Sequence, residues 1–149
     1  MKTEELLKTA NLNEPKKLVI NIMLCAGKAT AMMNEALKPY EISMQQFNVL
    51  RILRGQKGKP ANLSTIQERM VNKMSNTTRL VDKLINKNLV ERYTCEKNRR
   101  KIEIIITKEG LQLLEILDPI VDNLENDFSG HISQEELIKL NEILEKVRN

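Results

Sequence analysis

The sequence predicts a mainly α fold carrying one small β-hairpin, and three observations predict it. Apolar residues recur at helical spacing over most of the chain, Ser-x-x-Gln/Glu capping boxes begin at Ser43, Ser64 and Ser133, and period-two alternation is confined to residues 89–107. With 149 residues, 41% hydrophobic and 30% charged, the chain suits one domain, 1–149, with a sizeable core, and is too apolar for disorder. Only 5 Gly and 4 Pro interrupt it, which favours helices. The longest mainly apolar stretch, Leu18 to Ala26, is broken by Asn21 and falls short of the roughly 20 residues of a membrane span, so no membrane partner is expected. The start of the chain has no apolar region behind a basic segment, and Cys25 and Cys95 make no disulfide framework. The cytoplasm is the expected compartment.

Asn13-Glu14-Pro15 supplies a cap and an early-turn proline for a first long helix reaching Leu37. Within it, Leu18, Ile22, Cys25, Ala29, Met32 and Ala36 form one apolar stripe, and Val19, Met23, Ala26, Met33 and Leu37 form a second beside it. Two stripes need two partners, the rest of the chain and, most economically, a second copy of it. Pro39 ends this helix, and the box Ser43–Gln46 opens the next, through Phe47, Leu50, Ile52 and Leu53 to a stop near Gly55. A polar turn, Gly55–Pro60, leads to a very short strand at Asn62–Leu63. Ser64 is then expected to cap a short helix through Ile66 and Met70 to Val71, and Ser75 a longer one with Leu80, Leu84 and Ile85 facing inward. Leu89–Thr94 and Lys101–Thr107 read as hairpin strands with Ile102, Ile104 and Ile106 on one face, joined by a projecting polar link, Cys95–Arg100. Beyond Gly110 the helical pattern returns in Leu113, Leu117, Ile120, Leu124 and Phe128, with a kink expected at Pro119. A last helix behind Ser133 carries Leu137, Leu140, Leu144 and Val147.

Charge is unevenly spread around the net +4: residues 64–101 hold 10 basic and 4 acidic side chains, whereas residues 108–149 hold 4 basic and 10 acidic. Such a distribution points the middle of the chain at a polyanion and the C-terminal arm away from it. Short helix, turn, longer polar helix and basic hairpin together make a winged helix-turn-helix lobe over residues 43–110. Helices 14–37 and 111–148 are assigned to dimerisation, with Leu18, Ile22, Leu137, Leu140, Leu144 and Val147 on the seam. Candidate DNA contacts are Ser64, Ser75, Asn76, Thr77, Thr78, Arg79 and Lys83 on the helix pair, and Asn98, Arg99, Arg100 and Lys101 on the wing. Residues 76–78 are short polar groups that reach base edges or phosphates, and Arg79 either pairs bidentately with guanine or grips the backbone. The wing guanidinium groups suit a narrow minor groove. Aromatic residues make up 3%, too few for a single-strand stacking platform, so double-stranded DNA is the expected partner. Zinc-ligand spacings, glycine-rich phosphate loops and a Gly-x-Ser-x-Gly elbow are all missing, so no metal, cofactor or catalytic role is expected.

The segments Ser64–Met70, Ser75–Arg92, Asn98–Arg100 and Ile106–Gly110 together resemble the MarR family of bacterial transcriptional regulators, and Lys38–Leu50 resembles that family's junction between its first two long helices. The resemblance spans the chain and is most specific over residues 64–110. It implies a homodimer that places one recognition helix per subunit in the major groove and a wing in the minor groove. The implied function is that of a sequence-specific, ligand-responsive repressor on a pseudo-palindromic operator, with a small aromatic or phenolic effector. Met23, Met32, Met33 and Met44 are either core residues or the lining of an effector pocket between the arms and the lobe. The family's wing carries Asp-x-Arg where this chain has Asn98-Arg99-Arg100, and the resemblance implies that Arg100 leans on Asp82 instead. Peroxide sensors of the family hold a cysteine nearer the start of the first helix, so Cys25 reads as a buried structural residue and Cys95 as a strand-end residue. His131, in the turn before the last helix, is expected at the surface. Two alternatives stand beside this reading: a winged-helix protein-interaction adaptor that binds no DNA, which the basic charge disfavours, and a regulator that senses redox state through a cysteine, which thiol reactivity decides.

Overall fold

The computed structural model describes residues 1–149. All but the first of its α-helices begin where a side chain takes up a backbone N–H group that a first helical turn leaves without a partner. A short α1, Thr3–Leu6, precedes the long α2, Glu14–Leu37, whose Asn13 cap accepts from the Lys16 N–H at 3.0 Å. The sequence pattern held no sign of α1; it is docked by the Thr3 hydroxyl donating to Asn21 at 2.8 Å and by a Lys17–Glu4 ion pair at 3.1 Å. A single 3₁₀ turn at Lys38–Tyr40, holding Pro39, separates α2 from α3, Met44–Arg54, and the Ser43/Gln46 capping box forms as expected.

The next two helices start two residues and one residue away from the expected caps. In α4, Leu63–Arg69, the cap is Asn62, which accepts from the Thr65 N–H at 2.8 Å, while Ser64 lies inside the first turn. In α5, Thr77–Asn86, the cap is Asn76, accepting from the Arg79 N–H at 3.1 Å, and not Ser75. Asparagine and serine cap about equally well, so the preceding backbone decides. Ala61, and not Asn62–Leu63, forms the short strand: its N–H and C=O exchange hydrogen bonds with Ile104 at 2.9 and 2.8 Å, which leaves Asn62 as the next free residue. Before α5, the Ser75 N–H already closes a turn onto the Asn72 carbonyl at 3.2 Å.

The hairpin pairs β1, Val90–Cys95, with β2, Asn98–Ile106, in antiparallel register from Val90 opposite Ile106 to Thr94 opposite Ile102, with an irregularity between Thr94 and Cys95. Its link is shorter than the sequence suggests, because Asn98, Arg99 and Arg100 belong to β2. Two further helices follow: α6, Lys108–Ser129, capped by Thr107 and unbroken through Pro119, and α7, Gln134–Arg148, opened by the expected Ser133/Glu136 box.

One core joins these elements. Leu37 of α2, Phe47, Leu50 and Leu53 of α3, Ile66 of α4, Val81 and Leu84 of α5, Ile104 of β2 and Leu114, Leu117 and Val121 of α6 are all buried together. The inward stripes are displaced from those read in the sequence. Leu113, Ile120 and Leu124 are only half-buried, as are Leu80 and Ile85, because α6 turns Leu114 and Val121 inward and α5 turns Thr77 and Val81. A bidentate pair from Arg54 to Asp118, at 2.6 and 3.1 Å, ties α3 to the middle of α6, and Asp118 holds the Arg54 pKa above its ordinary value. Both side chains are partly open to solvent, so the tie contributes geometry more than energy.

The outer faces of the arms have no partner within the chain. Leu18, Val19, Met23 and Leu24 of α2 are exposed, as are Ile138, Leu140, Ile143, Leu144 and Val147 of α7, while Ile22 and Leu137 are half-buried and no α7 residue is buried. Cys25 is exposed on this face, contrary to the expected burial, because the chain's own elements cover the other side of α2; Cys95 is half-buried. His131 is exposed, as expected.

At the start of α6 a glycine is required. A Cβ on Gly110 would stand 2.4 Å from the Leu89 carbonyl oxygen and 2.7 Å from Ile106 Cγ1, so a methyl group forces the helix off the hairpin. Gly110→Ala is therefore expected to lower the unfolding free energy by about 1–3 kcal/mol, the usual range for an overpacked site, in a urea titration. Wild-type stability in this variant would mean that α6 does not press on the hairpin as described.

Candidate nucleic-acid interface

Residues 70–76 join α4 to α5 through a turn that Gln67 braces from within α4. Its Nε2 donates to the Lys73 carbonyl at 2.9 Å, and its Oε1 accepts the Thr77 hydroxyl. Thr77 is accordingly buried, and its side chain is withdrawn from the surface where a DNA contact was expected. Ser75 is half-buried with its hydroxyl unpartnered, and Asn76 commits its oxygen to the cap while its amide NH₂ stays free. Thr78, Arg79 and Lys83 are exposed along α5.

Arg79, Lys83, Arg99, Arg100 and Lys101 are exposed and form no ion pair. Asp82, the one acidic residue of α5, is paired with Arg92 of β1 and not with Arg100. Register explains the correction: Arg92 lies opposite Ile104, on the part of β1 that packs against α5, whereas Arg100 lies beyond the irregularity toward the hairpin tip. The Asn98 side-chain oxygen instead accepts the Arg100 N–H at 3.1 Å, which leaves the Arg100 guanidinium and the Asn98 amide NH₂ uncommitted.

Five of the candidate residues line two separate grooves. Ser64, Asn98, Arg100 and Lys101 line one shallow groove between the wing and the start of α4, where Ser64 donates its hydroxyl to Asn62 at 2.9 Å. Lys83 lies apart, in a groove on the other flank of α5 with Lys38 and Lys87. Those two lysines were missed; the i, i+4 spacing of Lys83 and Lys87 could have found the second.

A cavity of about 310 Å³ lies between the arms and the lobe. Met32, Met33, Met44, Ala29, Phe47, Leu124 and Phe128 supply most of its apolar wall, together with Met70, which the sequence reading did not include; Met23 is absent from it and exposed on α2. Gln45, Asn48, Arg51, Asn72 and Glu125 are its polar residues, and the Arg51 guanidinium stands 5.6 Å from the Phe47 ring centre.

An exposed, cationic second helix beside a basic two-stranded wing defines a winged helix-turn-helix DNA-binding protein. The chain belongs to the MarR family: that family's model matches residues 42–102, and PecS of Dickeya dadantii, an HTH-type transcriptional regulator, is 30% identical over 146 residues, covering 91% of this chain and 86% of PecS. IacR of Pseudomonas putida, an HTH-type transcriptional repressor, is 27% identical over 122 residues, covering 81% of this chain and 71% of IacR. Among solved structures, a cysteine-to-serine mutant of MarR from E. coli complexed with operator DNA superposes with a TM-score of 0.81 at 25% identity, over 93% of this chain and 99% of that one. The chain is thus a DNA-binding transcriptional regulator and not an enzyme. No helix is long and apolar enough to cross a membrane.

Because Asn76 holds the first turn of α5, Asn76→Ala is expected to destabilise the protein by about 1 kcal/mol in urea unfolding. The same change in Ser75 should have less effect, and the reverse order would restore Ser75 as the cap.

Proposed function

We propose that the chain is a homodimeric, sequence-specific repressor that binds a pseudo-palindromic duplex and is regulated by a small aromatic or phenolic effector in the cavity between arms and lobe. The observation that carries the DNA reading is the set of exposed, unpaired cations, Arg79 and Lys83 on α5 with Arg99, Arg100 and Lys101 on the wing. Thr78, Asn76 through its free amide, and Arg79 are the residues proposed to face the major groove, with Ser64, Asn98 and the wing cations on the backbone and minor groove. Ser75 has a supporting place beneath them.

Dimerisation is supported by the unpartnered apolar faces of α2 and α7, which a second copy would cover, including Leu18, Ile22, Leu137, Leu140, Leu144, Val147 and Cys25. A symmetric pair of recognition helices must lie about one DNA turn apart to enter successive major grooves, so an effector that alters the angle between the helical arms releases the operator. The repressor sign is supported by the likeness to IacR, and the effector by the apolar, methionine-rich cavity. Such a regulator works in the cytoplasm.

Two experiments test this. Arg100→Ala should weaken binding to all duplexes and reduce the salt slope by roughly one unit per subunit, whereas Arg79→Ala should lose about 1–3 kcal/mol per site and relax preference at one symmetric pair of positions. Unchanged DNA affinity in both folded variants would hand the winged helix to the adaptor reading. Leu140→Glu should shift the protein toward monomer in sedimentation and lower its stability together, since the seam is a divided core. A wild-type protein that sediments as a monomer at micromolar concentration would overturn the dimer.

A further inference from the structure

The turn that leads into the recognition helix is held by hydrogen bonds more than by packing, and two of them are accepted by side-chain amides that also line the cavity. The last regular bonds of α4 end at Met70, whose N–H reaches the Ile66 and Gln67 carbonyls. The next N–H, that of Val71, donates to Asn48 Oδ1 of α3 at 2.9 Å. Further along the turn, the Met74 N–H donates to Asn72 Oδ1 at 3.0 Å. Packing adds little here, since Val71 is 83% and Met74 91% exposed. Asn48, Val71 and Asn72 are all part of the cavity wall.

We propose that Asn48 is a positioning residue that couples the cavity to the recognition helix, and that an occupant carrying a hydroxyl donor releases the turn by competing with the Val71 N–H for Asn48 Oδ1. The inference rests on the reading of the cavity as an effector site and adds how occupancy reaches the DNA. An amide oxygen has two lone pairs, but one fixed direction toward Val71; an occupant that draws the amide toward itself lengthens that bond. Losing it loosens the start of the turn, because the Val71 side chain is already in solvent and only the bonds made by Gln67, Asn72 and Ser75 further along remain. The α5 N-terminus, with Asn76 as its cap, follows directly on that segment. Arg79 and Thr78 then lose a fixed direction toward the groove. This route runs within one subunit and needs no change in the arms.

The test uses the full-length protein, with phenol and toluene as probes of nearly equal shape that differ in the donor. Occupancy is read from the methyl resonances of Met32, Met33 and Met44, turn order from amide hydrogen exchange at residues 71–75, and DNA affinity on a duplex the protein selects from a random pool. Phenol should raise exchange at Val71 and lower duplex affinity, while toluene shifts the methyls and does neither. Asn48→Ala should raise exchange at 71–75 by up to about tenfold without phenol, as loss of one hydrogen bond implies, and abolish the further response to phenol. Asn48→Asp keeps an acceptor for Val71 and should restore low exchange, which separates the bond from packing or misfolding at this position. The proposal is overturned if Asn48→Ala leaves exchange and affinity at wild-type values, or if phenol lowers affinity equally with and without Asn48; in the second case the effector site stands and the coupling runs elsewhere. If neither probe moves the methionine methyls, the effector reading falls and the coupling falls with it.

Discussion

The two hydrogen bonds between Ala61 and Ile104 are the constraint on which the reading head depends. A two-stranded hairpin is marginal in water by itself. The Ala61 bridge gives β2 a second neighbour at the point where Ile104 enters the core, and so ties the basic end of the wing to a fixed base. The same bridge ends one residue before Asn62, which sets where α4 begins. Wing and helix pair therefore share one origin, and Ser64 comes to lie in a single groove with Asn98, Arg100 and Lys101 although they are far apart in sequence. Backbone groups make the bond, so it leaves no side-chain signature.

That is the general reason some features were legible in the sequence and others were not. Features encoded within one turn or one strand were plain: the boxes at Ser43 and Ser133, the alternation of Ile102, Ile104 and Ile106, and the proline that ends α2. Choices settled by a distant element were not. Asn62 and Asn76 cap in place of Ser64 and Ser75 because neighbouring backbone was already engaged. Thr77 looks like a surface reader in a string of short polar residues, yet Gln67 draws its hydroxyl inward. Asp82 had two arginines to choose from, and only the strand register distinguishes Arg92 from Arg100. The cationic surface itself was legible, since charge at 64–101 depends on composition more than on contacts.

The departure at Asn98 acquires a physical sense from this. A carboxylate at that point of the wing would lower the positive potential at its tip. An asparagine takes the Arg100 N–H through a neutral oxygen, so the turn is shaped without that loss. With Asp82 already neutralised by Arg92, the exposed cations Arg79 and Lys83 of α5 and Arg99, Arg100 and Lys101 of the wing form no ion pair, and residues 108–149 hold 10 of the 20 acidic side chains. The polarity of the molecule thus runs from a cationic head to an acidic arm, an arrangement that orients it in the field of a polyanion before contact.

Two fixings along α6 give this helix a mechanical role. Gly110 lets its first turn lie against the hairpin, and Asp118 fastens its middle to Arg54 of α3, so the head is attached to the arm at two points and cannot swivel freely about either. At about 1.5 Å per residue, the 22 residues of α6 form a lever of roughly 33 Å. A rotation of only about 6° at its far end then carries the near end through roughly 3.4 Å, the rise of one base pair along a strand. In the proposed dimer, a tilt of a few degrees where the two arms meet is therefore enough to put a reading head out of step with the bases beneath it.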